Sequence, residues 1–171
     1  MNHGEGRCRC VRGSLGTQLC SDACRAQDGQ SVFIRLRRPC GAWRIGSRSK
    51  RALEGKGAAA FAAAVRERAG AFDANRVAEF DALAFGCSAQ GDEVLEEDEF
   101  EPMFAACESA LTGKAVALFG YYGWGDGQWM RDWEERCAKA GIALAAESVL
   151  CNEAPDDEGE AACRALGKAL A

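Results

Sequence analysis

Histidine is almost missing: the 171 residues hold one, His3, so a Cys-His nucleophile pair is not expected in spite of ten cysteines. No run approaches the roughly 18 apolar residues that span a bilayer. The opening MNHGEGRCRCVRG has positive charge but no apolar stretch behind it, as an export signal would require. The expected address is the cytoplasm, with reduced thiols and no membrane partner. Nucleotide-binding signatures are lacking too. Gly55-Lys56 has no Gly five residues before it and no Ser or Thr after it, and the dinucleotide fingerprint is absent. Cys8, Cys10, Cys20 and Cys24 lie near His3 but are spaced C-x-C and C-x3-C, without paired C-x2-C knuckles, so no metal is expected.

Charge is divided unevenly along the chain. Residues 1–70 carry 14 Lys+Arg against 5 Asp+Glu and residues 71–171 carry 7 against 21, which marks two unlike pieces. Residues 1–57 are rich in Arg, Gly, Ser and Cys and poor in pattern, so a basic, disordered segment is expected there. Its single strand-like run is SVFIRLRRP, and Trp43 among Arg35 to Arg51 forms no nucleic-acid recognition motif. A nucleic-acid partner is therefore disfavoured, though a basic interaction arm remains an open reading. GKGAAAFAAAVRERAGAF reads as a helix through the Ala run, with Arg66, Glu67 and Arg68 outside.

From Glu79 onward the pattern is regular. FDALAFGC predicts a buried strand, and EFEPMFAACESALTG a helix with Pro102 in its first turn and Gly113 past its end. KAVALFG, YYGWGDG and QWMRDWEERCAKAG repeat this as strand, loop and helix, with Asp126 as the expected cap and Gly141 at the end. Met130, Trp133 and Cys137 fall at i, i+3 and i+7, one apolar stripe. A third unit follows as IALAAESVL, CNEAPDD and a helix from about Glu158 to Leu170. Continuous apolar strands alternating with amphipathic helices predict an α/β fold, a parallel sheet covered on both faces.

Ligands of open α/β sheets bind at the carboxyl ends of the strands, where SAQGDE and GYYGWGDG are expected side by side. Tyr121, Tyr122 and Trp124 either cover that sheet end or offer a flat face to a planar ring. Cys87, Cys107, Cys137, Cys151 and Cys163 read as small buried hydrophobes. The seven carboxylates between Asp92 and Glu101 read either as a solvated loop and helix start or as an acidic rim steering a basic partner.

FGCSAQGDEVLEEDEFEPMF, GKAVALFGYYGWGDGQWMRDWEERC and CNEAPDDE resemble a flavodoxin of the short-chain type, over roughly Val77 to Ala171. The resemblance implies a flavodoxin-like five-stranded parallel sheet in the order 2-1-3-4-5 and bound FMN. It also implies one-electron transfer between redox proteins, by a monomeric carrier and not an enzyme. Trp124 would stack on one face of the isoalloxazine, and Gly91 would offer a backbone carbonyl to the ring N5 proton. Asp92 and Glu93 would meet the ring's polar edge by amide and carboxylate. Ser88 and Ala89 begin the first loop, where Ser88 would contact phosphate or ribityl chain, and Gln90 stands where many relatives pack an apolar residue against the ring. Gly120, Tyr121, Tyr122, Gly123, Gly125 and Asp126 would shape the second loop, with Tyr121 near the phosphate, and Cys151 and Asn152 would open a third. A reduced flavin beside Asp92, Glu93, Glu96 and Glu97 meets like charges, so a low potential and partners with basic docking surfaces are expected.

The family's first strand and phosphate loop are expected to be missing or replaced, leaving residues 58–171 as a flavodoxin-like domain incomplete at its start. RGSLGTQL, Arg12 to Leu19, is the nearest imitation of that loop. A frameshift or a wrong start would produce such a front. The alternative to a carrier is a cofactor-free remnant or a partner-binding domain.

Overall fold

The strand at Ala82–Gly86 is buried at every one of its residues, which requires cover on both faces of the sheet. The computed structural model describes residues 31–35 and 64–170. They form a five-stranded sheet from β1 (Ser31–Arg35), β2 (Ala64–Arg68), β3 (Ala82–Gly86), β4 (Ala115–Tyr122) and β5 (Val149–Asn152), in the spatial order β2-β1-β3-β4-β5. Helices α1 (Phe100–Leu111), α2 (Gln128–Lys139) and α3 (Asp157–Ala169) alternate with the last three strands. β3, β4 and β5 are parallel, as the apolar runs predicted.

The strand order is the expected one, but the sense of β1 is not. β1 pairs antiparallel with both neighbours, Ser31 standing opposite Arg68 on one side and Gly86 on the other. A reversed strand thus fills the slot beside β3. SVFIR is strand as read from the sequence; the rest of residues 1–57, including RGSLGTQL, the amino-terminal cysteines and Trp43, lies outside the described residues.

The helix expected through the Ala run is corrected where it can be followed. Ala64–Arg68 is β2, because the ladder with β1 gives its backbone partners that intrinsic helix preference does not outweigh. Glu67, expected outside, is buried, and its Oε2 accepts a 2.6 Å bond from Arg76. The Arg76 guanidinium also sits 5.8 Å from the centroid of the Phe72 ring and 5.6 Å from that of Phe80.

One core layer lies between the sheet and the pair α1 and α2, the other beneath α3, so helices cover both faces. In the first layer, Phe104 meets Phe85 edge-on at 5.1 Å, and Trp133 stands edge-on to Phe100 and Phe104 at 5.3 Å each. Such pairs add about 0.5–1.5 kcal/mol beyond area burial. Arg136 ties the two helices outside this cluster, bonding Glu101 and Glu108 of α1 while its guanidinium lies over the Phe104 ring. Among the described residues, no helix is long and apolar enough to cross a membrane.

Helix α1 begins where its free amides find a carboxylate. Glu96 accepts from the backbone N–H of Asp98 at 2.9 Å, Glu99 at 3.0 Å and Phe100 at 2.8 Å. Partial burial opposes ionisation, but these three donors outweigh it and hold Glu96 below the usual carboxylate range. Because the folded value is the lower one, this stabilisation is complete above the unfolded value of about 4.3 and fades as pH falls through the folded value. Glu96→Gln is expected to cost about 0.5–1 kcal/mol at pH 7, the lower half of the range for a lost cap. The gap should close below about pH 4 as wild type loses the same charge. Urea midpoints of both proteins from pH 7 to 3 test this, and a gap constant with pH would refute it.

Candidate functional site

The carboxyl ends of β3 and β4 carry two short loops joined by backbone bonds. Cys87 N–H donates to Phe119 O at 3.2 Å and Ala89 N–H to Tyr121 O at 2.9 Å, so the first loop continues the ladder of the sheet. Gln90 and Val94 then exchange both backbone bonds at 2.9 Å and pinch Gly91, Asp92 and Glu93 into a tight turn. Gln90 folds back, its amide nitrogen 2.8 Å from Ser88 Oγ. Gly91 has φ +46°, and a Cβ there would meet no atom within 4 Å.

Tyr121 and Tyr122, expected in the second loop, are the last residues of β4, leaving Gly123 to Gly127 as the loop proper. Tyr122 packs on Trp129 at 5.6 Å, while Tyr121 belongs to the layer beneath α3. Trp124 is 63% exposed, alone in this respect among the described tryptophans, since Trp129 and Trp133 are buried. Cys151 and Asn152, expected to open a third loop, are instead the end of β5, and Glu153 N–H donates to Tyr122 O at 2.7 Å. All the sequence-predicted site residues, from Ser88 to Asn152, therefore gather at one end of the sheet.

Asp126 does not cap α2. The N-cap is Gly127, with φ +86° and no side chain to offer, and the cap comes from the other loop. Glu93 Oε1 accepts from the N–H of Gly127 at 2.7 Å and of Gln128 at 3.0 Å, and Oε2 from that of Asp126 at 3.3 Å. Glu93 holds φ +54° to do so, an uncommon conformation for a residue with a side chain. Gly125 is needed opposite: with φ +90°, it would bring a Cβ to 2.4 Å from the Glu93 carboxyl carbon. One carboxylate thus joins the two loops and neutralises the positive end of α2.

Sequence reasoning missed Arg131. It donates to the Asp126 carbonyl at 2.9 Å, to Asp126 Oδ1 at 2.6 Å and to Gln128 Oε1 at 2.7 Å. The Asp126-Arg131 spacing matches no helical i,i+4 pair, because Asp126 precedes the helix; only the loop's fold brings them together.

The acidic run divides by role. Glu93 and Glu96 turn inward as caps, whereas Asp92, Glu97, Asp98 and Glu99 stay exposed beside Trp124's end of the sheet. The five cysteines of residues 64–170 are buried, as expected of small hydrophobes. Burial pushes the Cys87 thiol up to about 12, against a backbone N–H from Glu96 that lowers it, and the Cys107 and Cys137 thiols up to about 11. They stay protonated near neutrality and are poor nucleophiles. No group of three metal-capable side chains occurs among the described residues.

The FMN implied by resemblance can be tested against this geometry. Its flat ring suits the exposed Trp124 indole and the open space at Gly91, with backbone groups of two tight turns at hand. Its phosphate is another matter. All three described helix starts hold a carboxylate, Glu96 on α1, Glu93 on α2 and Asp156 on α3, whose Oδ1 accepts from Gly159 N–H at 2.9 Å. Since β1 is reversed, the chain reaches this end of the sheet at Ser31, entering the strand, and not after Arg35. The described residues fit the ring and do not by themselves supply a phosphate cradle.

A family model described as "Flavodoxin" matches residues 45–167. A flavodoxin of Clostridium beijerinckii is 50% identical over 91 residues, 53% of this chain and 65% of that protein. A flavodoxin of Megasphaera elsdenii is 42% identical over 95 residues, 56% of this chain and 67% of that protein. The chain spans about two thirds of the length of these curated relatives. The solution structure of two-electron reduced Megasphaera elsdenii flavodoxin superposes with a TM-score of 0.55 at 38% identity, covering 61% of this chain and 74% of that one.

Proposed function

This chain belongs to the flavodoxin family, and on that premise we propose that it holds FMN between its two carboxyl-end loops. In this reading it carries single electrons at low potential between redox proteins, in the cytoplasm, as a monomer, and turns over no substrate of its own. The observation that carries the reading is the joining of the Ser88–Val94 and Gly123–Gly127 loops around one exposed indole, Trp124.

Each residue then has a task. Trp124 covers one ring face and keeps water from it, and Gln90, folded on Ser88, lines the other. Gly91, Asp92 and Glu93 present backbone amides, a carbonyl and a carboxylate to the polar edge. Ala89, Gly120 and Tyr122 back the loops, Gly123, Gly125 and Asp126 shape the turn under Trp124, and Tyr121, Cys151 and Asn152 border the side where ribityl chain and phosphate would leave. FMN supplies, when bound, the one-electron acceptor and donor. The exposed Asp92, Glu97, Asp98 and Glu99 surround it with negative charge, which disfavours adding electrons and favours partners with basic surfaces.

Titration with FMN and, separately, with riboflavin, each followed by quenching of flavin fluorescence, tests this. FMN is expected to be quenched, and a clear preference over riboflavin would require an anion site formed with residues beyond those described. Equal affinities would leave the ring site in place with its phosphate unanchored. No quenching by either flavin from well-folded protein would overturn the carrier reading. It would favour a cofactor-free, partner-binding member of the family, as the occupied helix starts also would.

A further inference from the structure

Of the loop that carries Trp124, one side is held by Glu93 from the neighbouring loop. The other is held by Arg131, on the first turns of α2, whose guanidinium grips both the carbonyl and the carboxylate of Asp126. The two grips are complementary. Glu93 accepts from the N–H groups of Asp126, Gly127 and Gln128, while Arg131 donates to the C=O that the same turn leaves free. Gln128 braces the guanidinium in turn, its Oε1 within 2.7 Å of Arg131, and its amide nitrogen bonds Asp132 Oδ1 at 2.6 Å. Apolar packing reaches this turn only at its end, where buried Gly127 lies against Leu150, because Gly123, Trp124, Gly125 and Asp126 are all exposed.

We propose that Arg131 is a positioning residue that fixes the Trp124 loop through the Asp126 carbonyl and thereby sets affinity for the flavin ring, apart from its phosphate. The inference rests on the flavin reading for its functional half and on the loop geometry alone for its structural half. The planar fork is what permits two bonds to one residue at once. An ammonium at this place would keep the charge and lose one of them.

The pair is exposed, so its weight in overall stability is small and its effect is local. In the apo protein, Arg131→Gln should speed hydrogen exchange at the amides of residues 124–128 and leave those of Glu134 to Ala138 unchanged. A merely structural role would loosen both sets or neither. Where flavin is taken up, Arg131→Gln should weaken FMN and riboflavin by the same factor, about three to five, the size an exposed ion pair supports. Arg131→Lys should recover only part of this. Unchanged exchange at 124–128 would overturn the proposal, as would a loss confined to FMN. If wild type binds neither flavin, the carrier reading fails, and exchange at 124–128 still decides whether Arg131 holds the loop.

Discussion

Trp133→Ala is expected to cost about 3–4 kcal/mol, a large part of the 5–15 kcal/mol by which a domain is folded. Trp133 is 1% exposed and stands edge-on to both Phe100 and Phe104, so its removal opens a cavity where α1, α2 and the sheet meet. Full truncation of such a residue costs up to about 5 kcal/mol. Part of that is offset, because the Trp133 indole N–H is buried with no hydrogen-bond partner among the described residues, and its loss relieves a desolvation penalty of about 1 kcal/mol. Trp124→Ala makes the same deletion at 63% exposure, and its stability change should stay within about 0.5 kcal/mol. Urea unfolding of the three proteins checks this. A Trp133→Ala midpoint close to that of Trp124→Ala would mean that the aromatic cluster does not form as described.

Gly120→Ala is the second large effect, and it acts on the site as well as on stability. A Cβ at Gly120 would lie 2.1 Å from the Cys87 carbonyl oxygen, a backbone atom that cannot rotate away. It would also press on Trp129 at 3.1 Å, which closes the other direction of relief. β3 and β4 must then part where Cys87 and Ala89 bond to Phe119 and Tyr121, the two bonds that bring the first loop beside the second. Overpacking of this kind costs about 1–3 kcal/mol, and flavin uptake should fall with it. Gly123→Ala is the control, since a Cβ there meets nothing within 4 Å, and it should be nearly neutral in stability. Equal stability of the two variants would sink the prediction.

The alternation of apolar strands with striped helices made the half of the fold after Ala71 legible. The Met130, Trp133 and Cys137 stripe is buried as its spacing predicted, and Gly113 and Gly141 follow their helices with positive φ. The juxtaposed loops were legible for the same reason, since successive parallel strands put their carboxyl ends side by side. Three features were not. A five-residue apolar run carries no arrow, so SVFIR showed a strand without showing that it runs against its neighbours. Gly120 looked like a strand end, yet it is there to let two backbones touch, and β4 continues through Tyr122. The cap on α2 was invisible, because Asp126 has the right chemistry at the right place and no local pattern links Glu93 to amides in another loop.

The reversed β1 also bears on the order in which the sheet is assembled. β3, α1 and β4 are neighbours in sequence and meet by short closures, and β5 adds to β4 in the same way. Ser31 must instead find Gly86 across a long stretch of chain, and the entropy of closing that loop is spent before its first ladder bond forms. β1 is thus expected to dock late, and β2, whose ladder is to β1, joins the sheet with it or after it, so β3 offers an open edge until β1 arrives. The lifetime of that half-built sheet, more than the strength of the finished one, then governs whether the chain reaches its fold or pairs with a second copy.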